Sequence, residues 1–252
     1  MTIFADKTYV VTGATSGIGL AVTHALLSRD ANVVAVGLPD EQLKALANEA
    51  NDRLLVLEAD VSNSEQVNRA FADAEARFGS ISGVLNAAGI LKVVPIGETT
   101  DELWQSMIQV NLSGTFHVMR AAAGALSTAG SGSIVCIASE LSLVGQADYV
   151  AYTASKGGVL AMARSLAAEL APIGIRVNSL SPGTTDTPML AAGFANDAER
   201  LRDQASVPLG RFASPEEIAA AALWLLGPES SYVTGTNLVV DGGRTGTFSL
   251  NG

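Results

Sequence analysis

Short runs of apolar, largely β-branched residues punctuate the chain at regular intervals: "TYVVT", "NVVAV", "RLLVLEAD", "GVLNAAG", "GSIVCIAS", "IRVNSLSP" and "NLVVDGG" read as strands. Between them lie stretches of helix length, such as Ser64 to Phe78 and Pro215 to Leu226. This alternation predicts βαβ units and a parallel sheet. Several strands are apolar throughout and do not alternate, as expected where helices cover both faces. The fold class read from the pattern is α/β, a doubly wound, seven-stranded parallel sheet. With no linker and no internal repeat, residues 1–252 are read as one domain. The least regular stretch, "TTDTPMLAAGFANDAERLRDQASVPLGRF", follows the sixth strand at the edge where such sheets bind ligands. It is expected to form a substrate lid over residues 190–210, with a plain surface excursion as the alternative.

Composition narrows the class of function. Hydrophobic residues make up 48% of the 252 and charged ones 16%, enough for a sizeable core and against general disorder. A net charge of -10 disfavours a broad surface for nucleic acid or anionic membrane, and points to small-molecule partners. The single cysteine, Cys136, lies in the apolar run "SIVCIAS" and reads as a small buried hydrophobe. His24 and His117 are the only histidines and stand far apart, so no metal site is expected. The start, "MTIFADKTYVVTG", enters a strand almost at once, and no apolar stretch is long enough to span a bilayer. A soluble protein of the reducing cytoplasm is expected.

The first strand runs into "TGATSGIG", residues 12–19, and then into the helical "LAVTHALLSR". Gly13, Gly17 and Gly19 would let this turn pass close to a pyrophosphate seated at a helix N-terminus. Their spacing, Gly-x-x-x-Gly-x-Gly, resembles the cofactor turn of the short-chain dehydrogenase/reductase family. Further marks follow in order: Ala59 and Asp60 after the third strand, "NAAG" at 86–89 with Ala87 where the family has a second Asn, "VNLSGTF", "SPGTTDTPM" and "TGTNLVVDGG". The resemblance covers essentially the whole chain. It implies a Rossmann fold and an NAD(P) cofactor held at Gly13, Ser16, Gly17, Ile18 and Gly19. Asp60 would meet the adenine, with Val61 beside it, and Asn86, Ala88 and Gly89 would follow. Pro182, Gly183 and Thr187 would meet the nicotinamide carboxamide, with Thr185 next to them.

Chemistry concentrates in "YVAYTASKGG". Tyr152 and Lys156 are four apart, on one face of a helix. An ammonium beside a phenol favours the phenolate and lowers a pKa that is otherwise near ~10. A phenol so tuned can protonate a carbonyl oxygen or deprotonate an alcohol, as nicotinamide chemistry requires. A tyrosine ring packed on a lysine stem is the alternative for an isolated pair. Ser139 ends the fifth strand, where its hydroxyl would bond the substrate oxygen; Ser142 competes but lies in the loop. Asn111 sits in "ELWQSMIQVNLSGTFHVM", read as one long apolar helix in which an amide is costly unless bonded. The resemblance assigns Asn111 a water-mediated proton relay to Lys156, and Lys156 a bond to the cofactor ribose.

The segment "ELSLVGQADYV" should line the substrate end, with Glu140, Ser142, Gln146 and Tyr149 suited to a polyol, sugar or hydroxy acid, or Leu141, Leu143 and Met189 to an apolar ring. In "VAVGLPDEQL" the second strand ends in Gly37 and Leu38, without the family's usual acid or its usual arginine. NAD is expected over NADP, its adenine ribose held near Leu38 and by Asp40, although Asp40 could instead open the next helix. The apolar breadth of "GGVLAMARSLAAEL" and "MIQVNLSGTFHVMRAAAGAL" asks for a second surface to bury against, and the resemblance implies a homotetramer. The reading is an oxidoreductase interconverting a secondary alcohol and a ketone. The rival is a nucleotide-sensing or scaffolding protein on the same fold, which should lack one of Asn111, Ser139, Tyr152 and Lys156; all four are present.

Overall fold

The computed structural model describes residues 3–191, 194 and 196–247. Seven strands, β1 Thr8–Thr12, β2 Asn32–Gly37, β3 Leu54–Glu58, β4 Ile81–Asn86, β5 Gly132–Ile137, β6 Ile175–Pro182 and β7 Asn237–Val240, form one sheet in the order β3-β2-β1-β4-β5-β6-β7. Every neighbouring pair is parallel. Helices α1 Gly17–Leu27, α2 Glu41–Ala47, α3 Ser64–Phe78, α4 Asp101–Met107, α5 Gly114–Ala129, α6 Val150–Leu170, α7 Pro188–Ala191, α8 Asp197–Ala205 and α9 Pro215–Leu226 fill the connections. The expected doubly wound α/β sheet is what forms.

The unbroken apolar strands follow from burial on both faces. Val10, Val34 and Ile134 pack with Phe71 of α3, Met119 of α5 and Val159 of α6 on one side. Val11, Val33 and Val135 pack with Leu26 of α1 and Ile218 of α9 on the other. Successive strand residues point to opposite faces, so both must be apolar. The chain reverses its direction of winding between β1 and β4, and the carboxyl ends of these strands open a crevice there.

One stretch departs from its expected form. The single helix expected over "ELWQSMIQVNLSGTFHVM" is interrupted by a π-helical turn at Ile108–Ser113, between α4 and α5. The turn carries Asn111 into the interior, where its amide finds partners an ordinary helical surface would not supply. Directly after it, Gly114 packs so closely on Val61 that a Cβ would stand 2.8 Å from Val61 Cγ2. The irregular stretch after β6 contains α7 and α8; residues 192, 193 and 195 of the expected lid lie outside the described residues. Among the described residues no helix is long and apolar enough to cross a membrane.

Candidate active site

A cavity of about 770 Å³ runs along the carboxyl ends of the strands. At one end Ser16, Gly17, Ile18 and Gly19 line it where α1 begins. Ser16 is the N-cap residue of α1, yet its side chain makes no capping bond, which leaves first-turn amides for an anion. The glycines are required here. Gly13 has φ 65°, and a Cβ on it would stand 2.7 Å from Ala88 N; one on Gly19 would stand 2.1 Å from the Gly13 carbonyl oxygen. Thr187, from the segment after β6, reaches over the same turn, its Cγ2 3.0 Å from where a Gly17 Cβ would be. Backbone approach of this kind, with uncapped amides, fits a pyrophosphate.

Val36, Gly37, Leu38, Asp40, Asp60 and Val61 continue the wall toward the expected adenine. Asp40 opens α2: its Oδ1 accepts a hydrogen bond from Leu43 N at 2.8 Å, so one of its oxygens serves the helix. Asp60 Oδ1 accepts from Ser62 N at 2.8 Å. Ala88, Gly89, Pro182, Gly183, Thr185 and Thr187 also line the cavity.

One expected contact lies off the cavity. Asn86 does not reach the cavity: buried on β4, it accepts from Thr12 Oγ1 at 2.6 Å and donates to Thr115 Oγ1 at 2.8 Å, bracing β1, β4 and α5 together. Asn111, expected to reach Lys156 through a water, lies near it: a Cβ on Gly89 would stand 3.2 Å from Asn111 Oδ1 and 3.5 Å from Lys156 Nζ. Its Oδ1 accepts from Ile90 N at 2.8 Å, and its Nδ2 donates to the Ile90 carbonyl at 2.9 Å and to Ser155 Oγ at 3.1 Å. The amide therefore fixes the loop after β4 and makes no direct bond to Lys156.

Ser139, Tyr152 and Lys156 share one wall of the cavity. Ser139 Oγ accepts from Leu141 N at 3.1 Å, and Ser142 braces it from behind by donating to the Ser139 carbonyl at 2.6 Å and accepting from Ser139 N at 3.1 Å. The two serines thus divide their tasks, with Ser139 facing the cavity. Lys156 is buried, donates to the Ile137 carbonyl at 2.8 Å and lies 5.8 Å from the Tyr152 ring centroid. Burial pushes the Tyr152 phenol up to about 12, partly offset by a hydrogen bond with Ser139. Burial likewise draws Lys156 down to about 8. In the chain by itself desolvation outweighs the Ser139 bond and holds the phenol in its protonated form.

At the substrate end Leu141, Gln146, Tyr149 and Met189 line the cavity, whereas Leu143 is largely exposed and off its wall. Glu140 also lines the cavity and is held in a buried ion pair, its Oε1 3.1 Å from Arg244 Nη1. Burial pushes its carboxyl up to about 7, against the pull of Arg244. Arg244 and Asp203 went unnoticed in the sequence, since Arg244 lies 104 residues from Glu140 and nothing local marks it.

The sheet order and the glycine turn define a dinucleotide-binding protein of the Rossmann type. The family model described as "Enoyl-(Acyl carrier protein) reductase" matches residues 13–245, and the chain belongs to the short-chain dehydrogenase/reductase family. It is 40% identical over 246 residues to the cis-4-hydroxycyclohexanecarboxylate dehydrogenase of Sinomonas cyclohexanicum, covering 96% of this chain and 98% of that one. It is 38% identical over 245 residues to the 3beta-hydroxysteroid dehydrogenase 1 of Eggerthella lenta, covering 95% and 94%. A solved structure of a variant actinorhodin polyketide ketoreductase with NADPH superposes with a TM-score of 0.91 at 31% identity, covering 98% and 99%. The protein is an oxidoreductase acting on hydroxy compounds with a nicotinamide cofactor.

Proposed function

We propose that the protein is an NAD-dependent dehydrogenase that interconverts a secondary alcohol and its ketone, with Tyr152 as the acid/base. The observation that supports this reading is the placement of Ser139, Tyr152 and Lys156 on one cavity wall, in the same cavity as the glycine turn. When bound, the nicotinamide supplies or accepts the hydride. Ser139, its Oγ fixed by Leu141 N, orients the substrate oxygen. Tyr152 holds the proton at its hydroxyl and passes it to a carbonyl oxygen in reduction, or receives it from the hydroxyl in oxidation. Lys156 holds the cofactor ribose and favours the phenolate once the proton has left. Gln146, Tyr149, Leu141 and Met189 bound the substrate, with Glu199, Arg202 and Asp203 of α8 closing that end of the one domain.

The preference for NAD rests on the adenine end. None of the described residues lining that end, from Gly13 to Gly19, Val36 to Asp40 and Ala59 to Val61, is Lys or Arg. The lining arginines, Arg202 and Arg244, belong to the substrate end. A ribose phosphate of charge near ~-2 would sit beside Asp40 without a cation. At Gly37, where the family has its acid, a Cβ would meet the Thr15 side chain, its Cγ2 2.5 Å away. Leu38 backbone and the free oxygen of Asp40 then serve the ribose hydroxyls of NAD. Steady-state kinetics with a panel of alcohols should give a kcat/KM for NAD about tenfold or more above that for NADP, some 1.4 kcal/mol; equal or higher efficiency with NADP would overturn the preference.

The assembly we propose is a homotetramer in the cytoplasm, a compartment that suits the single buried thiol of Cys136. Trp104 of α4, Phe116 of α5 and Val150 of α6 are all substantially exposed, apolar groups that a subunit contact would cover. Light scattering should report four times the 25.8 kDa chain; a monomer at micromolar concentration would sink the assembly.

A further inference from the structure

We propose that Arg244 is a positioning residue that ties α8, the wall over the substrate end, to the loop that carries Ser139. The proposal rests on the reading of Ser139 and Tyr152 given above. Arg244 Nη1 donates to Glu140 Oε1 at 3.1 Å and to Thr184 Oγ1 at 2.8 Å, while Nη2 donates to Asp203 Oδ1 at 2.8 Å. Thr184 in turn donates to Asp203 Oδ2 at 3.0 Å, closing the network. One guanidinium thus joins three segments distant in sequence: the turn after β5, the segment after β6, and α8.

The joint is sheltered. The side chains of Arg244, Glu140 and Asp203 are 20%, 5% and 17% exposed, so these contacts are far less screened than surface pairs. Arg244 is aimed by its own loop: Asp241 accepts from Gly243 N and from both the backbone and the hydroxyl of Thr245. Gly242, with φ 66°, lets that loop pass close under the end of α8, where a Cβ would stand 2.6 Å from Val207 Cγ1. The joint has one cation for two paired carboxylates, with the Asp241 carboxylate also acting on Glu140. Without the cation, Glu140, already pushed up to about 7 by burial, would take a proton, and the forked bonds that hold α8 to the loop would be lost. A lysine would restore charge but not the planar fork that reaches both carboxylates at once.

Glu140 directly follows Ser139, whose hydroxyl orients the substrate oxygen, and Arg244 itself lines the cavity. Holding α8 against Glu140 therefore sets the width of the site at the reacting end. The tether acts on the alcohol and leaves the distant cofactor turn alone.

The test is hydrogen exchange on the intact, ligand-free enzyme, paired with kinetics on Arg244→Met, Arg244→Lys and Asp203→Asn. Arg244→Met should speed exchange in both α8 and the Ser139–Gln146 loop, and raise KM for the alcohol about tenfold while KM for NAD stays unchanged. Asp203→Asn should release α8 alone, and Arg244→Lys should fail to restore the coupled protection. If Arg244→Met does not fold, the other two variants still decide the matter. Unchanged exchange in α8 and the loop, a fully wild-type Arg244→Lys enzyme, or an unchanged alcohol KM would overturn the tether. Faster exchange in a protein that oxidises no alcohol would support the joint while refuting the proposed reaction.

Discussion

Replacing Tyr152 with phenylalanine is expected to lower turnover by about 10²-fold or more while leaving NAD affinity unchanged. The ring and its packing against Tyr149, 6.4 Å away centroid to centroid, survive the change, so only the proton site is lost. The wild-type pH profile should show that site directly. With the phenol pushed up to about 12, it is protonated across the neutral range and ready for ketone reduction. Oxidation needs the phenolate, so its kcat/KM should climb with pH toward about 12, and the climb should vanish in the phenylalanine variant. Near-normal activity in Tyr152→Phe would remove Tyr152 from the mechanism.

The second large effect is expected at Lys156. Lys156→Met keeps most of the volume at a buried position but removes the donor to the Ile137 carbonyl and the only charge on the Ser139–Tyr152–Lys156 wall. Because one side chain is assigned both the ribose contact and the bias toward phenolate, KM for NAD should rise and kcat should fall together, for a combined loss of about 10³-fold in kcat/KM. A variant that binds NAD normally and loses only kcat would show that Lys156 does not touch the ribose. The loss of one bond to a buried carbonyl should cost about 1–3 kcal/mol of stability, which thermal unfolding can separate from the kinetic effect.

Much of this site could be read in the chain because its elements are local. Gly13, Gly17 and Gly19 fall within one strand–turn–helix unit, and Tyr152 and Lys156 within one helical turn, so local spacing together with the family resemblance marks them. Ser139 was fixed by the strand that it follows. Less legible are residues whose partners are remote in sequence. Asn86 looked like a cofactor contact, but Thr12 and Thr115, 74 and 29 residues away, claim its amide. Asn111 was expected on a plain helix, and the π-turn that buries it has no marker in a run of apolar residues. Glu140 lines the cavity, and its pairing is not legible locally because Arg244 comes to it only through the completed sheet. Asp40 remained between two readings until the structure showed it capping α2.

The most direct test of the central claim uses an alcohol deuterated at its carbinol carbon, chosen as the fastest member of the alcohol panel. With wild-type enzyme and NAD, the deuterium should appear on the nicotinamide of the reduced cofactor as the ketone forms, with transfer cut about 10²-fold or more in Tyr152→Phe. Ketone formed without label on the nicotinamide, or no oxidation of any alcohol with either NAD or NADP, would contradict the account.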